Sequence, residues 1–205
     1  MFELETPRLT LIPLDPQMLA LELEDDRAME EALGLEVGHS ELRGELRDAV
    51  ADMLQCARDY PEQWLWCTDW KIVLRREKRV IGGLCFKGPP TQAGEVEVGY
   101  GLHAGNEHQG YMTEALLAAL DWALAQPGVT AVLAETEKSN EPSQRVLQSL
   151  GFHRCRETEQ FWWWCADIAS LREPSLAAAA TATDAGSRRR VWAGAGRPRP
   201  DPRGR

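Results

Sequence analysis

Two polar segments of the chain each lie directly between an apolar, strand-like run and a helical pattern. The first, residues 103–110, ends at Gly110, and the second contains Asn140. The amide groups in the first turn of a helix have no partner within the helix, and the helix dipole is positive there. Two helix starts of this kind, each following a strand, are suited to binding an anionic group such as a phosphate.

Hydrophobic periodicity predicts the elements around these segments. Alternating apolar and polar residues indicate a strand over residues 95–102. From Thr113, apolar residues recur three and four positions apart, which predicts a helix that ends before a Pro-Gly pair. A short apolar run predicts a strand over residues 131–134, and a helix over residues 141–150 follows, with Asn140 available as its cap.

These residues, in this order, resemble the GNAT superfamily of N-acetyltransferases. The family has a diphosphate-binding turn of the form Gln/Arg-x-x-Gly-x-Gly/Ala between its fourth strand and third helix, and residues 107–112 occupy it here. The string Gly-Tyr-Met-Thr-Glu-Ala at 110–115 resembles the branch that contains the ribosomal-protein N-terminal acetyltransferases. That branch also has Glu-x-Gly-Tyr, here residues 97–100, and Asn-x-x-Ser followed by Gly-Phe, here Asn140, Ser143, Gly151 and Phe152. The resemblance covers residues 5–165.

The resemblance implies an α/β fold with a mixed, mostly antiparallel central sheet of six to seven strands. This sheet would splay between strands four and five, and about four helices would flank it. The sequence pattern predicts the other strands at 5–14, 71–74, 80–86, 152–156 and 160–167, and the other helices at 16–24 and 40–58. Residues 1–174 should form the acetyltransferase domain. Residues 175–205, rich in Ala, Gly, Pro and Arg without periodicity, should form a disordered tail.

The resemblance also implies acetyl-CoA as the co-substrate and indicates its contacts. The diphosphate would lie over the backbone amides of residues 109–113, at the start of the third helix. The pantetheine arm would run between the fourth and fifth strands and contact their backbone. Asn140 would bond the pantetheine, although its position equally suits a helix cap. The expected cofactor-binding residues are Val98, Tyr100, Leu102, Gln109, Gly110, Tyr111, Met112, Thr113 and Asn140.

Two residues of the diphosphate turn depart from the family pattern. Glu107 stands where the family has Gln or Arg, and a carboxylate beside a diphosphate is unfavourable unless it points outward. His108 stands where this branch has glycine, so we expect a strained backbone there. Gly110 is retained, and a side chain at that position would keep the backbone amides away from the phosphates.

Transfer of an acetyl group from a thioester to an amine requires a proton acceptor for the amine and a proton donor for the thiolate. The resemblance implies Glu97 as the base, acting directly or through water; alternatively, Glu97 faces solvent or pairs with a Lys or Arg. Glu157 and Glu159, on the last hairpin, are further candidates. Many family members have an acid tyrosine where Leu147 stands here. In the branch that this chain resembles, a serine donates the proton instead, which implies Ser143.

Composition restricts the class of protein. With 205 residues, 43% of them hydrophobic, the chain can bury the core of one domain and carry an appendage. It has neither a long apolar run nor a signal-peptide pattern, which predicts a cytoplasmic protein that is not in a membrane. Five cysteines without paired spacing argue against a disulfide framework and a metal site. The net charge of −9 suits a cationic substrate, or serves solubility alone.

The sequence therefore predicts an acetyl-CoA-dependent N-acetyltransferase that acts on a primary amine by direct attack in a ternary complex. A protein N-terminal α-amine is the first candidate acceptor, and a small-molecule amine or antibiotic is the second. The alternative is a catalytically inactive CoA-binding module. The aromatic segment 60–66 would line the acceptor pocket or pack on the sheet, and segment 161–164 would contact the acceptor or a homodimer partner. The Arg-rich tail has no folded motif, which argues against nucleic acid as a partner.

Overall fold

A computed structural model describes residues 2–38 and 42–167, and eight strands in these ranges form one sheet. In chain order the strands are β1 (Leu4–Glu5), β2 (Leu9–Pro13), β3 (Asp69–Leu74), β4 (Arg79–Phe86), β5 (Glu95–Leu102), β6 (Ala131–Glu137), β7 (His153–Glu157) and β8 (Phe161–Asp167). Across the sheet their order is β1-β2-β3-β4-β5-β6-β8-β7. Neighbouring strands are antiparallel except β5 and β6, which are parallel. The sheet confirms the predicted α/β class.

The helices differ in number from the prediction of about four. They are α1 (Pro16–Glu24), α2 (Asp26–Ala32), α3 (Glu45–Asp59), α4 (Tyr111–Ala125) and α5 (Glu141–Ser149), and a 3₁₀ helix spans Pro61–Trp66. The sequence analysis missed α2 because its seven residues are too few to show a helical period. Of the helices in the described ranges, none is long and apolar enough to cross a lipid bilayer.

The first predicted strand, residues 5–14, is divided in two. The Thr6 N–H donates to the Leu9 carbonyl at 2.9 Å, which closes a turn around Pro7 and folds β1 back onto β2. Proline has no N–H to donate to a sheet, so a turn is a favourable place for it. This division gives eight strands where six to seven were expected.

Helices cover both faces of the sheet. On one face α4 and α5 pack on a large core, which includes Leu116 and Leu147 of the helices and Ile72 and Val98 of the sheet. On the other face α1, α2 and α3 enclose a second, smaller cluster around Leu19. Because side chains alternate between the faces of a strand, the strands in the middle of the sheet contribute to the interior on both sides.

Two of the predicted boundaries concern residues outside the described ranges. The helix expected over residues 40–58 is observed as α3, which begins at Glu45 after Gly44, whereas residue 40 is not described. The predicted end of the domain at residue 174 and the tail 175–205 also lie outside the described residues. Neither the domain boundary nor the disordered tail is tested.

The aromatic segment 60–66 packs mainly on the sheet. Trp66 is buried, and its ring lies 4.9 Å from Phe86 and 4.6 Å from Trp122, measured between ring centroids. Trp64 is partly buried against the smaller cluster. Of the two roles considered for this segment, the structure supports packing for these two tryptophans.

The expectation about the cysteines is corrected. Cys56 and Cys67 form a disulfide with a Cα–Cα distance of 5.4 Å, and Cys155 and Cys165 form another with a Cα–Cα distance of 5.9 Å. Cys85 is a buried free thiol. The odd count and irregular spacing of the cysteines did not indicate either bond. The first joins α3 to the end of the 3₁₀ helix, and the second joins the paired strands β7 and β8.

The start of the parallel pair depends on Gly94. Its carbonyl accepts hydrogen bonds from the N–H groups of Thr130 (2.8 Å) and Ala131 (3.4 Å), which ties the beginning of β5 to the beginning of β6. Gly94 has φ +77°, and a Cβ there would lie 2.3 Å from the Gly128 carbonyl oxygen. Only glycine satisfies both the positive φ and the close approach.

We therefore predict that Gly94→Ala lowers the free energy of unfolding by about 3 kcal/mol, from the left-handed backbone and the overlap together. Gly128→Ala is the matched control, because Gly128 has φ +83° with open space around its Cβ position. It should lose only about 1–2 kcal/mol. Chemical denaturation of both variants measures the difference, and equal losses would contradict the packing account.

Candidate active site

The parallel strands β5 and β6 pair over only part of their length. Their register runs from Glu95 opposite Ala131 to Val98 opposite Ala134. Beyond that point β5 pairs only with β4, up to Leu102, and β6 pairs only with β8. A wedge-shaped gap therefore opens between β5 and β6, at the place where the splay was predicted.

The backbone N–H and C=O groups of every second residue of β5 point toward β6 or this gap. The Lys87 N–H donates to the Glu97 carbonyl at 2.9 Å, and the His103 N–H donates to the Ile81 carbonyl at 2.7 Å, so odd-numbered residues of β5 face β4. Backbone groups alternate between the two edges of a strand, so those of the even-numbered residues face β6 or the gap. These are Val98, Tyr100 and Leu102. Beyond Val98 no described strand pairs with that edge.

The loop after β5 leads to an open helix start. Gly110 precedes α4 with φ +75°, and no side chain caps the helix. In contrast, α1, α2 and α5 are capped by Asp15, Asp25 and Asn140. The predicted residues Gln109, Tyr111, Met112 and Thr113 lie beside Gly110 in the loop and the first turn of α4. Their amides form an anion-binding corner at the end of the gap.

The two unusual residues of the loop leave this corner open. The Glu107 carboxylate turns back to accept the Gly105 N–H at 2.7 Å, so it does not cap α4. His108 has φ +61°, the left-handed backbone that was expected where the family has glycine. Histidine tolerates this conformation better than branched residues do, at a cost of about 1 kcal/mol or more.

Arg8 is the residue at this corner that the sequence analysis missed. Its Nη1 donates to the Gln109 carbonyl at 2.9 Å, and its guanidinium lies 4.5 Å from the centroid of the Tyr111 ring. Its Nη2 would be 3.5 Å from a Cβ at Gly110. Glu114 holds it through a 2.6 Å ion pair to Nε. The corner therefore combines helix amides with a positive side chain, and both favour an anion.

Asn140 and Ser143 lie on the far side of the gap, at the start of α5. The Asn140 Oδ1 accepts the Ser143 N–H at 3.3 Å, so Asn140 is a helix cap. The Ser143 hydroxyl is 2.6 Å from the Tyr100 hydroxyl, and both residues are buried. Burial raises the pKa of Tyr100 above its ordinary value, although the Ser143 hydrogen bond lowers it slightly. The Tyr100–Ser143 contact joins β5 to α5 just where β5 and β6 separate.

Three charged side chains stand together on the opposite face of the sheet. Glu97 forms a 2.6 Å ion pair with Lys87, and both side chains are largely buried. This is the ion-pair alternative considered for Glu97. Glu135 on β6 lies near both of them: partial burial raises its pKa, Lys87 lowers it, and Glu97 raises it. Glu135 was not identified from the sequence, because it becomes a candidate only through its position on β6 beside the gap, which depends on the fold.

The last hairpin contributes less to this group. Glu157 forms an exposed 3.3 Å ion pair with Lys138, and Glu159 is exposed in the turn. Trp163 is paired with Glu135 across β6 and β8, and the Arg156 guanidinium stacks 4.1 Å from its ring. The structure therefore brings Glu97 and Glu135 to the gap and leaves Glu157 and Glu159 at the surface.

A family model described as acetyltransferase (GNAT) domain matches residues 8–153. The uncharacterized N-acetyltransferase YjdG of Bacillus subtilis is 30% identical over 95 residues, which are 46% of this chain and 56% of that protein. The uncharacterized N-acetyltransferase p20 of Bacillus licheniformis is 26% identical over 103 residues, 50% of this chain and 57% of that protein. The chain thus spans little more than half the length of these relatives.

Solved structures share the fold at low sequence identity. The ribosomal-protein-S5-alanine acetyltransferase of Vibrio fischeri has a TM-score of 0.58 at 16% identity, with 82% of this chain and 97% of that chain covered. RimL, a ribosomal L7/L12 alpha-N-protein acetyltransferase solved with coenzyme A, has a TM-score of 0.59 at 14% identity, with 82% and 99% covered. FdhC, a nucleotide-linked sugar GNAT, reaches 0.60 at 12% identity, with 84% and 93% covered.

We predict a pH dependence of stability from Glu114. Partial burial raises its pKa, but hydrogen bonds from Thr6 (2.6 Å) and from the Arg8 backbone (2.9 Å) and side chain outweigh this, so the pKa lies below the ordinary 4.5. Its contribution is therefore present above pH 4.5 and lost as pH falls through the lowered pKa.

Glu114→Gln should melt at a lower temperature than the unchanged protein near neutrality, and the two melting temperatures should converge as the pH falls below 4.5. Glu141→Gln is the control, because Glu141 is exposed and its carboxylate forms a 3.4 Å ion pair with Arg145 at the surface. A constant difference across the pH range for Glu114→Gln would contradict this account.

Proposed function

The chain belongs to the GNAT acetyltransferase family, and on that basis we propose that it uses acetyl-CoA to acetylate a primary amine in a ternary complex. The observation that carries the proposal is the gap between β5 and β6, which ends at the uncapped start of α4. A pantetheine arm fits the unpaired edge of β5, and a diphosphate fits the amides of residues 109–113. The contacts to the arm and to the diphosphate would both come from one continuous segment, which runs from β5 to the first turn of α4.

The donor would be held by the residues predicted from the sequence. Backbone groups of Tyr100 and Leu102 face the gap and offer hydrogen bonds to the amides of the arm. Backbone groups near Val98 would polarise the thioester carbonyl. Asn140 caps α5, so any bond to the arm would come from its remaining hydrogen-bonding groups. The amine approaches from the face that carries Glu97 and Glu135.

The proton transfers use groups on opposite sides of the gap. A primary amine is mostly protonated near neutrality and must lose a proton before it can attack the thioester. A carboxylate near the opening can accept that proton. Glu97 and Glu135 both stand close to the opening, and the ion pair with Lys87 already occupies the Glu97 carboxylate, which leaves Glu135 the more accessible acceptor. On the other side, the neutral Tyr100 hydroxyl can donate to the Ser143 oxygen. The Ser143 hydrogen is then free to be donated to the departing thiolate.

A protein N-terminal α-amine remains the first candidate acceptor. The motif at residues 110–115 and the structural likeness to ribosomal-protein acetyltransferases support it. The equal likeness to a nucleotide-linked sugar enzyme supports a small-molecule amine. We also propose a homodimer and a cytoplasmic location. The two disulfides argue against the cytoplasmic location, because disulfides rarely persist in a reducing compartment.

Release of free CoA thiol from acetyl-CoA, with peptides and small amines as acceptors, tests the proposal. Acetyl-CoA-dependent thiol release with at least one amine is expected. CoA binding without turnover on any amine would indicate the inactive CoA-binding module instead, which the buried Leu147 in place of the family's acid tyrosine favours. The absence of both binding and turnover would overturn the proposal.

The two carboxylates can be separated by substitution. We predict that Glu135→Gln lowers kcat by about a hundredfold and removes the acidic limb of the pH–rate profile, because an amide cannot accept the proton. Glu97→Gln should have the smaller effect, and the exposed control Glu157→Gln none. Steady-state kinetics over a pH series gives the comparison. A larger loss for Glu97→Gln would identify Glu97 as the base, and normal kinetics for both would contradict carboxylate catalysis.

The acidic residue in the loop should weaken cofactor binding. Glu107 is exposed beside the amides that would meet the diphosphate, so Glu107→Gln should tighten CoA binding on the order of threefold, the range of an exposed charge interaction. Glu62→Gln, which removes a charge from the 3₁₀ helix rather than from this loop, should leave the Kd unchanged. Calorimetric titration with CoA measures both. Equal affinities at low salt would contradict an unfavourable charge interaction between Glu107 and the diphosphate.

A further inference from the structure

A cavity of about 110 Å³ lies between the sheet and helices α1, α2 and α3. It is on the face of the sheet that carries Glu97, not in the gap where the cofactor would lie. Met29, Val50 and Met53 give it apolar walls. Its polar lining comes from α1, α2, β3 and the residue after β5, and consists of Glu22, Asp26, Glu30, Asp69, Lys71 and His103.

The charge of this lining is negative. Lys71 is its one ammonium group, and it bonds Glu22 and, at 2.7 Å, the Asp69 Oδ2. Lys71 thus bonds two of the four carboxylates, while Glu30 accepts the Gly38 N–H at 2.6 Å. Burial raises the pKa of Glu22, although Lys71 lowers it. Burial lowers the pKa of His103, and the nearby Lys71 lowers it further, so the imidazole adds no positive charge near neutrality.

Two carboxylate oxygens in the cavity have no partner among the described residues. They are Glu22 Oε2 and Asp69 Oδ1, and their residues are 3% and 1% exposed. Asp69 Oδ1 lies over Gly83, where a Cβ would be only 2.4 Å away, so glycine is needed to make room for it. A buried acceptor without a donor costs free energy, about 1–3 kcal/mol and more for a charged group. Both oxygens therefore keep a hydrogen-bonding capacity that the described residues leave unused.

The cavity has a defined position relative to the reaction. Asp69 is paired with Cys85 on β4, and Cys85 is paired with Gly99 on β5, so the three lie on one rung of the sheet. Side chains on a rung share a face, and Gly99 and Glu97 share that face because they are two residues apart. Two strand spacings separate Asp69 from Gly99, or about 10 Å. Gly99 is the first residue of β5 beyond its pairing with β6.

We infer that this cavity binds a second cationic group of the acceptor, an ammonium or guanidinium that lies about 10 Å from the amine to be acetylated. Its N–H groups donate to Glu22 Oε2 and Asp69 Oδ1, and its charge balances the carboxylates that Lys71 leaves uncompensated. That the bound cation is part of the acceptor rests on the proposed function, whereas the binding of a cation does not.

The test uses two straight-chain probes of eight carbons, a diamine and the matching monoamine, titrated calorimetrically into the protein without CoA. The diamine should bind at least about tenfold more tightly than the monoamine, equivalent to about 1.4 kcal/mol. Glu22→Gln removes one carboxylate from the cavity and leaves Lys71 paired with Asp69. It should abolish that preference, whereas Glu31→Gln, an exposed position on α2, should keep it.

Glu22 is buried, so the folded state of Glu22→Gln is checked by its melting temperature. If that variant does not fold, the affinities of the unchanged protein for the diamine and the monoamine decide the question. Equal affinities for the two probes would overturn the inference. Diamine binding without acetyl transfer to any amine would refute the proposed function and leave the cation site standing. Acetyl transfer with equal affinity for the two probes would refute the cation site alone. A KM that Glu22→Gln raises for the diamine but not for the monoamine would support both.

Discussion

The loss of pairing between β5 and β6 after Val98 and Ala134 is the constraint on which the rest of the site depends. Because β5 and β6 are parallel, α4 must cross from the end of β5 to the start of β6, and this places a helix N-terminus at the gap. The separation also exposes one edge of β5. Gly94 fixes where the pairing of β5 with β6 begins. Just beyond the end of this pairing, the Tyr100–Ser143 contact joins β5 to α5.

The two sides of this gap carry opposite charge, positive at the start of α4 and negative on the other face of the sheet. At the start of α4, helix amides and Arg8 favour an anion, and Glu107 turns its carboxylate away to Gly105. On the other face, Glu97 and Glu135 stand at the opening, and the acidic cavity lies behind them. A negatively charged donor and a positively charged acceptor would therefore approach from different sides. This separation suits direct transfer between them.

Local patterns predicted the strand, the glycine turn and the helix of the candidate site, because each depends on residues close in sequence. The left-handed backbone at His108 was also expected, since one position in the turn determines it. Arg8, Glu135 and the Cys155–Cys165 disulfide were missed. Arg8 and Glu135 depend on contacts between elements distant in sequence, for which a single sequence carries no local signal, whereas the disulfide joins the two strands of the predicted last hairpin. The same reason explains why the sequence indicated Glu97 without its partner Lys87.

The most direct test of the central claim is an NMR titration of the amide groups with CoA. The account predicts that the amides of residues 109–113, and those of Tyr100 and Leu102 on the free edge of β5, shift with a common Kd. Amides of α3, whose start at Gly44 also lacks a side-chain cap, should not move. Shifts confined to other parts of the chain, or no shifts at saturating CoA, would contradict the account.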